Sequence, residues 1–434
     1  MLTIFTDRWH RDCDGWSRRD FLRVGALGSG VFGLSGLLEA RARAEAAGTP
    51  ARDTSVVWLW LGGGPTHVET FDPKMTAPIE YRSVTGEVKT RIPGMSLGGN
   101  YPLMAREADK LVLVRSFAHR NSGHGGGTHW VMTGYDNRNI DNGGLPTRPS
   151  MGSILSRVRG PNHPGSGMPT YVRLGGIGSD GPAFLGTACA PFDPRGNARR
   201  DMSLAVPRDR LFDRRTLLDG LDNLNRRIDS SGLMKGLDGF EEQAFRILMG
   251  RAPEAFDVRR EDPRIIEAYG KGLGQNMLLA RRLCEAGCGF VTVHYGGWDM
   301  HGNIKKSMDR RGPEMDRAVA AFVQDIYQRG LGEKILLVVT GEFGRTPRVN
   351  RGKGRDHWAP LSTLALAGGG LRTGGVVGES SAKAEVPRTT PITPQDLMAT
   401  VFHVLGLPPN LHFVNPQGRP VFMLEKGSPI RDVL

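Results

Sequence analysis

Three nearly continuous apolar runs set the plan of the chain: Val56-Val57-Trp58-Leu59-Trp60-Leu61, Phe290-Val291-Thr292-Val293-His294-Tyr295 and Ile335-Leu336-Leu337-Val338-Val339-Thr340. Runs of this kind, rich in β-branched residues, form strands buried on both faces. Each passes into a glycine-bearing polar segment: Gly62-Gly63-Gly64-Pro65-Thr66-His67, Gly296-Gly297-Trp298-Asp299-Met300-His301 and Gly341-Glu342-Phe343-Gly344-Arg345. Helical spacing precedes the second and third strands. It covers residues 273–286, and it runs from Pro313, a favourable first helical residue, through Ala318, Val319, Phe322, Val323, Ile326 and Tyr327 to Gly330. Repetition of helix, strand and polar loop predicts an α/β fold with a mostly parallel central sheet flanked by helices. In such sheets ligands bind beyond the carboxyl ends of the strands, so the polar loops should converge.

Other segments punctuate this plan. Thr393-Pro394-Gln395-Asp396 reads as a capping box opening an apolar helix that runs to Leu405 and stops at Gly406. Residues 75–100, rich in Pro, Gly and Thr, read as a surface excursion. The stretch around 160–215, with repeated Pro, Gly and Arg, reads as an insertion or lid over the site. One large domain, 47–434, is expected to hold all of these.

The first 46 residues read as an export signal. Arg18-Arg19 with Phe21-Leu22 precedes an apolar stretch from Val24 to Leu38, followed by small-residue sites at Ala42-Arg43-Ala44 and Ala44-Glu45-Ala46. The stretch is shorter than the ~20 apolar residues of a membrane span and is rich in Gly and Ser, as a cleavable signal is. The paired arginines resemble the twin-arginine signal, whose export machinery moves folded proteins. A periplasmic or extracellular location with no stable membrane span after cleavage is therefore expected.

Charge adds less. The 434 residues carry a net +12, and a cut near Ala46 leaves about +11. No block of five or more Lys/Arg occurs and aromatics are sparse, at 7%, so specific nucleic-acid binding is not expected. Diffuse positive charge suits an anionic small molecule or a polysaccharide ester as substrate, or merely a soluble surface. Of the four cysteines, Cys189, Cys284 and Cys288 would remain after cleavage. They allow one disulfide at most, and Cys284 and Cys288 have the spacing of helix packing.

Candidate chemistry gathers in the loops. Asp299 and His301, two apart, offer a carboxylate oxygen and an imidazole nitrogen to one divalent metal, or are a hydrogen-bonded loop Asp beside a surface His. Glu342, at a strand end, suits a ligand or a base. Arg345 suits bidentate capture of an oxyanion or a salt bridge closing the loop. Asp356-His357 offers a further ligand or a helix cap. The segment Asn121-Ser122-Gly123-His124-Gly125-Gly126-Gly127-Thr128-His129 exposes backbone N–H groups ahead of a short helix, a geometry that receives anions. It supplies His124 as a proton acceptor or nucleophile and Ser122 as the alternative nucleophile. His67 is a candidate ligand in the first loop.

Taken in order, Gly-Gly-Pro-Thr-His-x-Glu-x-Phe-Asp-Pro-Lys, the His-rich loop, Trp-Asp-x-His, Gly-Glu-Phe-Gly-Arg-Thr-Pro and Gly-Arg-Asp-His-Trp resemble the exported family known as domain of unknown function 1501. That family is similar to the alkaline phosphatase and sulfatase superfamily. The resemblance implies an α/β fold with metal at the strand ends and a metal-dependent hydrolase of sulfate or phosphate esters. Asp299, His301 and His357 would hold a divalent ion (Zn, Ca, Mg or Mn), with Glu342 and His67 as further ligands. Three departures matter. Glu342-Phe343 stands in place of the superfamily's Asp-His, Gly62 in place of a metal Asp, and His124 in place of the nucleophilic Ser, Thr or Cys. The competing expectation is a catalytically inactive, metal-stabilised protein that binds anionic extracellular polymers.

Overall fold

A seven-stranded sheet forms the middle of the molecule. The computed structural model describes residues 53–195 and 252–434, all in one unit; the expected signal segment and residues 196–251 lie outside the described residues. In chain order the strands are β1 (Ser55–Trp60), β2 (Leu111–Val114), β3 (Tyr171–Leu174), β4 (Phe290–His294), β5 (Ile335–Thr340), β6 (Leu364–Gly368) and β7 (Gly375–Val377). They lie side by side as β7-β2-β6-β5-β1-β4-β3. β1 pairs in parallel with both β4 and β5, β4 with β3, and β2 with β7, while β6 runs antiparallel between β5 and β2. Mostly parallel order and helices on both faces are as the pattern predicts.

Strand alternation sorts the apolar runs into two cores. Val57, Leu59, Leu337 and Val339 enter one, packed by the helices Leu273–Glu285 and Ile304–Gln328. Val56, Trp58, Trp60, Leu336 and Val338 enter the other, packed by Met151–Arg159 and Pro394–Leu405. Both faces are thus covered, which is why these strands show no polar alternation. No helix among the described residues is long and apolar enough to cross a membrane.

Local rules account for the element ends, with two instructive exceptions. Thr393 accepts from the Asp396 N–H while the Asp396 side chain returns to the Thr393 backbone, and Gly406 closes the helix in the left-handed region at φ 67°. The helix expected to begin at Pro313 instead begins at Ile304, and Pro313 lies inside it. Ile304 and Met308 are buried and extend the apolar stripe upstream, so tertiary burial outweighs the hydrogen bond that Pro313 cannot donate. Within the expected insertion, Tyr171–Leu174 is not a lid but the edge strand of the main sheet; its four residues give too short an apolar run to stand out beside the Pro and Gly around it. Cys284 and Cys288 are buried free thiols.

A buried ion pair fixes the loops above the sheet. Glu69 and Arg355 are both fully inaccessible, with Glu69 Oε1 2.9 Å from Arg355 Nη2. Arg355 also donates to the carbonyls of Tyr81, Arg82, Thr346 and Pro347, tying the segment after β5 to the one after β1. Removing one partner of such a pair leaves a buried charge uncompensated. Glu69→Ala should cost about 3–5 kcal/mol in urea unfolding, and a loss below about 1 kcal/mol would show that the pair does not hold these loops.

Candidate metal centre

The carboxyl ends of β1, β4 and β5, which are neighbours in the sheet, deliver Gly63, Asp299 and Glu342 to one rim. The loop after β2 brings Ser122 and His124, and the segment before β6 brings Asp356 and His357. The helix α1 (His124–Thr133) starts from Gly123 in extended conformation, so His124 stands at its first position with its side chain 45% exposed.

Each of three imidazoles gives its Nδ1 hydrogen to an oxygen acceptor. His124 Nδ1 lies 2.8 Å from Glu342 Oε1, His301 Nδ1 2.7 Å from Asp356 Oδ1, and His357 Nδ1 2.9 Å from the Ser122 carbonyl oxygen. A carbonyl and ionised carboxylates only accept, so in the neutral ring the hydrogen sits on Nδ1 and Nε2 is the nitrogen left to take a ligand. Those Nε2 atoms converge. His301 Nε2 is 3.0 Å from Asp299 Oδ1 and 3.0 Å from His357 Nε2, His357 Nε2 is 3.2 Å from Asp299 Oδ1, and His124 Nε2 is 3.6 Å from Asp299 Oδ2. Ligand atoms of His124, Asp299 and His357 all lie within 4.8 Å of one another. Lone pairs turned on each other repel unless a cation or proton stands between them. The arrangement therefore fits a divalent ion held by three nitrogens and one carboxylate, with oriented partners behind the nitrogens.

The remaining residues hold this arrangement in place. Arg345 is fully buried and donates to the carbonyls of Gly63, Gly64 and Arg355 and, at 2.5 Å, to Asp299 Oδ1. Burial opposes the Asp299 charge, yet the Arg345 guanidinium, with help from His357 and His301, holds its pKa down at about 2. Gly63, at φ 114°, admits no side chain, because a Cβ there would run into the Asp299 backbone N. The Glu342 hydrogen bond raises the pKa of His124 against some burial, whereas burial and the nearby Arg345 charge lower that of His357.

Several expected roles change. Arg345 is engaged by three carbonyls and Asp299, so its guanidinium is a clamp and not an oxyanion receptor. The amides meant to cradle an anion are also taken: Asp141 Oδ1 accepts from Gly125 and Gly126 N–H at 2.8 and 3.0 Å. Ser122 Oγ accepts from Ala359 N–H, and its backbone carbonyl orients His357. His124 joins the ligand group, with Glu342 behind it; Glu342 Oε1 also accepts from Gly63 N–H. His67 is placed elsewhere, buried with Nε2 2.9 Å from the Ala384 carbonyl and its pKa lowered to about 4 by desolvation. Above Gly62, the His294 ring occupies the space a side chain would need. The sequence offered no sign of Asp141, and Asp356 was visible only as the neighbour of His357.

A family model described as "Protein of unknown function (DUF1501)" matches residues 53–434. The chain belongs to the DUF1501 family. No curated protein matches this DUF1501 chain. Among solved structures it is similar to the PsFucS1 sulfatase from Pseudoalteromonas sp., at 12% identity and TM-score 0.42, covering 87% of this chain and 72% of that one. It is also similar to the phosphonate monoester hydrolase SpPMH from Silicibacter pomeroyi, at 11% identity and TM-score 0.41, covering 87% and 76%. A third is the lipoteichoic acid synthase LtaP from Listeria monocytogenes, at 11% identity and TM-score 0.36, covering 86% and 75%.

In the metal-free DUF1501 protein the His124–Glu342 pair contributes stability that is full below about pH 6.5. That contribution is lost as pH rises through the raised pKa of His124. Glu342→Gln should lower the His124 titration midpoint in NMR and weaken Zn²⁺ binding by about 10–100-fold. An unchanged midpoint would contradict the assigned pairing.

Proposed function

We propose that this protein is an exported, metal-dependent hydrolase of sulfate or phosphate esters. The observation that carries the reading is the convergence of three imidazole Nε2 atoms and Asp299 at the ends of the parallel strands. His124, His301, His357 and Asp299 would hold the ion. An imidazole-rich set suits Zn²⁺ better than Ca²⁺, Mg²⁺ or Mn²⁺, which favour oxygen ligands. When bound, the ion would supply Lewis-acid chemistry, drawing charge from an ester oxygen and making water acidic enough to attack near neutral pH.

The chain's own residues have supporting parts in this scheme. Glu342, Asp356 and the Ser122 carbonyl hold the three imidazoles in one tautomer. Arg345 keeps Asp299 ionised and aimed at the centre. Water would be the attacking group, with Ser122 Oγ accepting from Ala359 N–H and His124 bonded to Glu342. Export through the twin-arginine machinery, which moves folded proteins, would let the site be loaded before it leaves the cytoplasm.

One observation favours the second reading, a catalytically inactive binding protein. Both expected anion receptors, Arg345 and the amides of Gly125 and Gly126, already have partners inside the protein. Hydrolysis of p-nitrophenyl sulfate and p-nitrophenyl phosphate, measured with Zn²⁺, with Mn²⁺ and with chelator, separates the two. The hydrolase reading expects turnover with at least one ion, loss on chelation, and loss of both turnover and stoichiometric metal in Asp299→Ala. Absence of turnover with every ion and both esters would leave the binding protein.

A further inference from the structure

Beside the metal centre, two short segments present cations in unusual density. Three residues after His301, the helix Ile304–Gln328 begins with Lys305 and Lys306 and continues to Arg310, all exposed. Four residues before His357 the loop carries Lys353, after Arg348 and Arg351, again exposed. The segments are stitched together: Gly302 bridges Lys353, Asn303 N–H donates to the Gly352 carbonyl and Ile304 N–H to that of Lys353. Lys305 is paired with Asp309, and among the described residues none of the other five cations is in an ion pair. The nearby acids are Asp309, Glu80, whose carbonyl accepts from Val349 N–H, and Asp356, already bonded to His301 and Asn350.

Stability does not explain this placement. The first turn of the helix carries Lys305 and Lys306 and no acid, although the amino end of a helix favours negative charge. Lys353 lies in the left-handed region at φ 57°, a conformation that glycine or asparagine takes at less cost. We infer that the Lys305–Arg310 and Arg348–Lys353 segments form a basic ridge that seats a polysaccharide bearing repeated sulfate or phosphate groups, leading one such group to the metal centre. The inference rests on the proposed ester chemistry for its orientation, but ridge binding is separable from turnover. Unpaired, exposed cations attract a polyanion through its whole charge array. The ridge has no aromatic side chain on which bases would stack and no exposed apolar residue to enter a lipid surface.

The test uses the full chain and dextran sulfate as the probe. Lys306→Glu/Arg351→Glu/Lys353→Glu is compared with Arg264→Glu/Lys271→Glu/Lys426→Glu, which makes the same change in net charge at other exposed positions. Thermal unfolding first shows that both variants are folded. The ridge variant should bind dextran sulfate about tenfold or more weakly, with a shallower salt dependence, while the second variant stays near the native affinity. Native protein treated with chelator should keep its affinity. Equal losses in the two variants would mean a diffuse field and overturn the ridge. Tighter ridge-dependent binding of single-stranded DNA, or of vesicles containing phosphatidylglycerol, than of dextran sulfate would overturn the polysaccharide assignment. Ridge-dependent binding without any ester hydrolysis would sustain the ridge and defeat the hydrolase, and hydrolysis without ridge-dependent binding would do the reverse.

Discussion

Three histidine rings are held so that their Nε2 atoms face inward, and most of the architecture above the sheet serves that constraint. A histidine left to itself exchanges its proton between two nitrogens. Here Glu342, Asp356 and the Ser122 carbonyl remove the choice, each from a different part of the chain. His301 Nε2 and His357 Nε2 stand 3.0 Å apart, and Asp299 beside both supplies the negative charge that makes the space suited to a cation. Structural histidines in the same molecule behave otherwise. His67 and His119 are buried, and desolvation lowers both to about 4, the state of a neutral ring in a dry core.

The sheet makes the constraint attainable. Adjacent parallel strands end together, so Gly63, Asp299 and Glu342 meet without long loops. Arg345 then acts across them, since one guanidinium reaches carbonyls after β1, the carbonyl of Arg355 and the Asp299 carboxylate. Its planar fork of donors explains why an arginine stands there. A lysine offers no such fan of hydrogen bonds. The Glu69–Arg355 pair extends the same fastening outward to the segment that carries His357.

Much of this was legible in the sequence. Runs such as Val56–Leu61 and Ile335–Thr340 announced strands buried on both faces, and the Thr393 box announced its helix, because these signals are local. Asp299 and His301 were legible as a pair from their spacing in a loop beyond a strand, whereas His357 joined them through the family resemblance, since it precedes β6, which β5 and β1 separate from β4. What escaped depends on contacts over long sequence distances. Arg345 read as an anion receptor, since no local rule shows that carbonyls 281 residues away have already filled its donors. The amides of Gly125 and Gly126 read as vacant because Asp141 returns from a turn 15 residues on. Pro313 read as a helix start because its missing N–H is a local fact, whereas the burial of Ile304 and Met308 is a tertiary one.

The central claim is about which atoms face the cation, and X-ray absorption at the zinc edge of the Zn²⁺-loaded protein addresses it most directly. The account predicts an inner shell of nitrogen and oxygen near 2.0–2.1 Å with outer-shell scattering from three imidazole rings, reduced to two in His124→Ala. A shell of oxygen ligands without ring scattering, or a spectrum indifferent to His124, would contradict it.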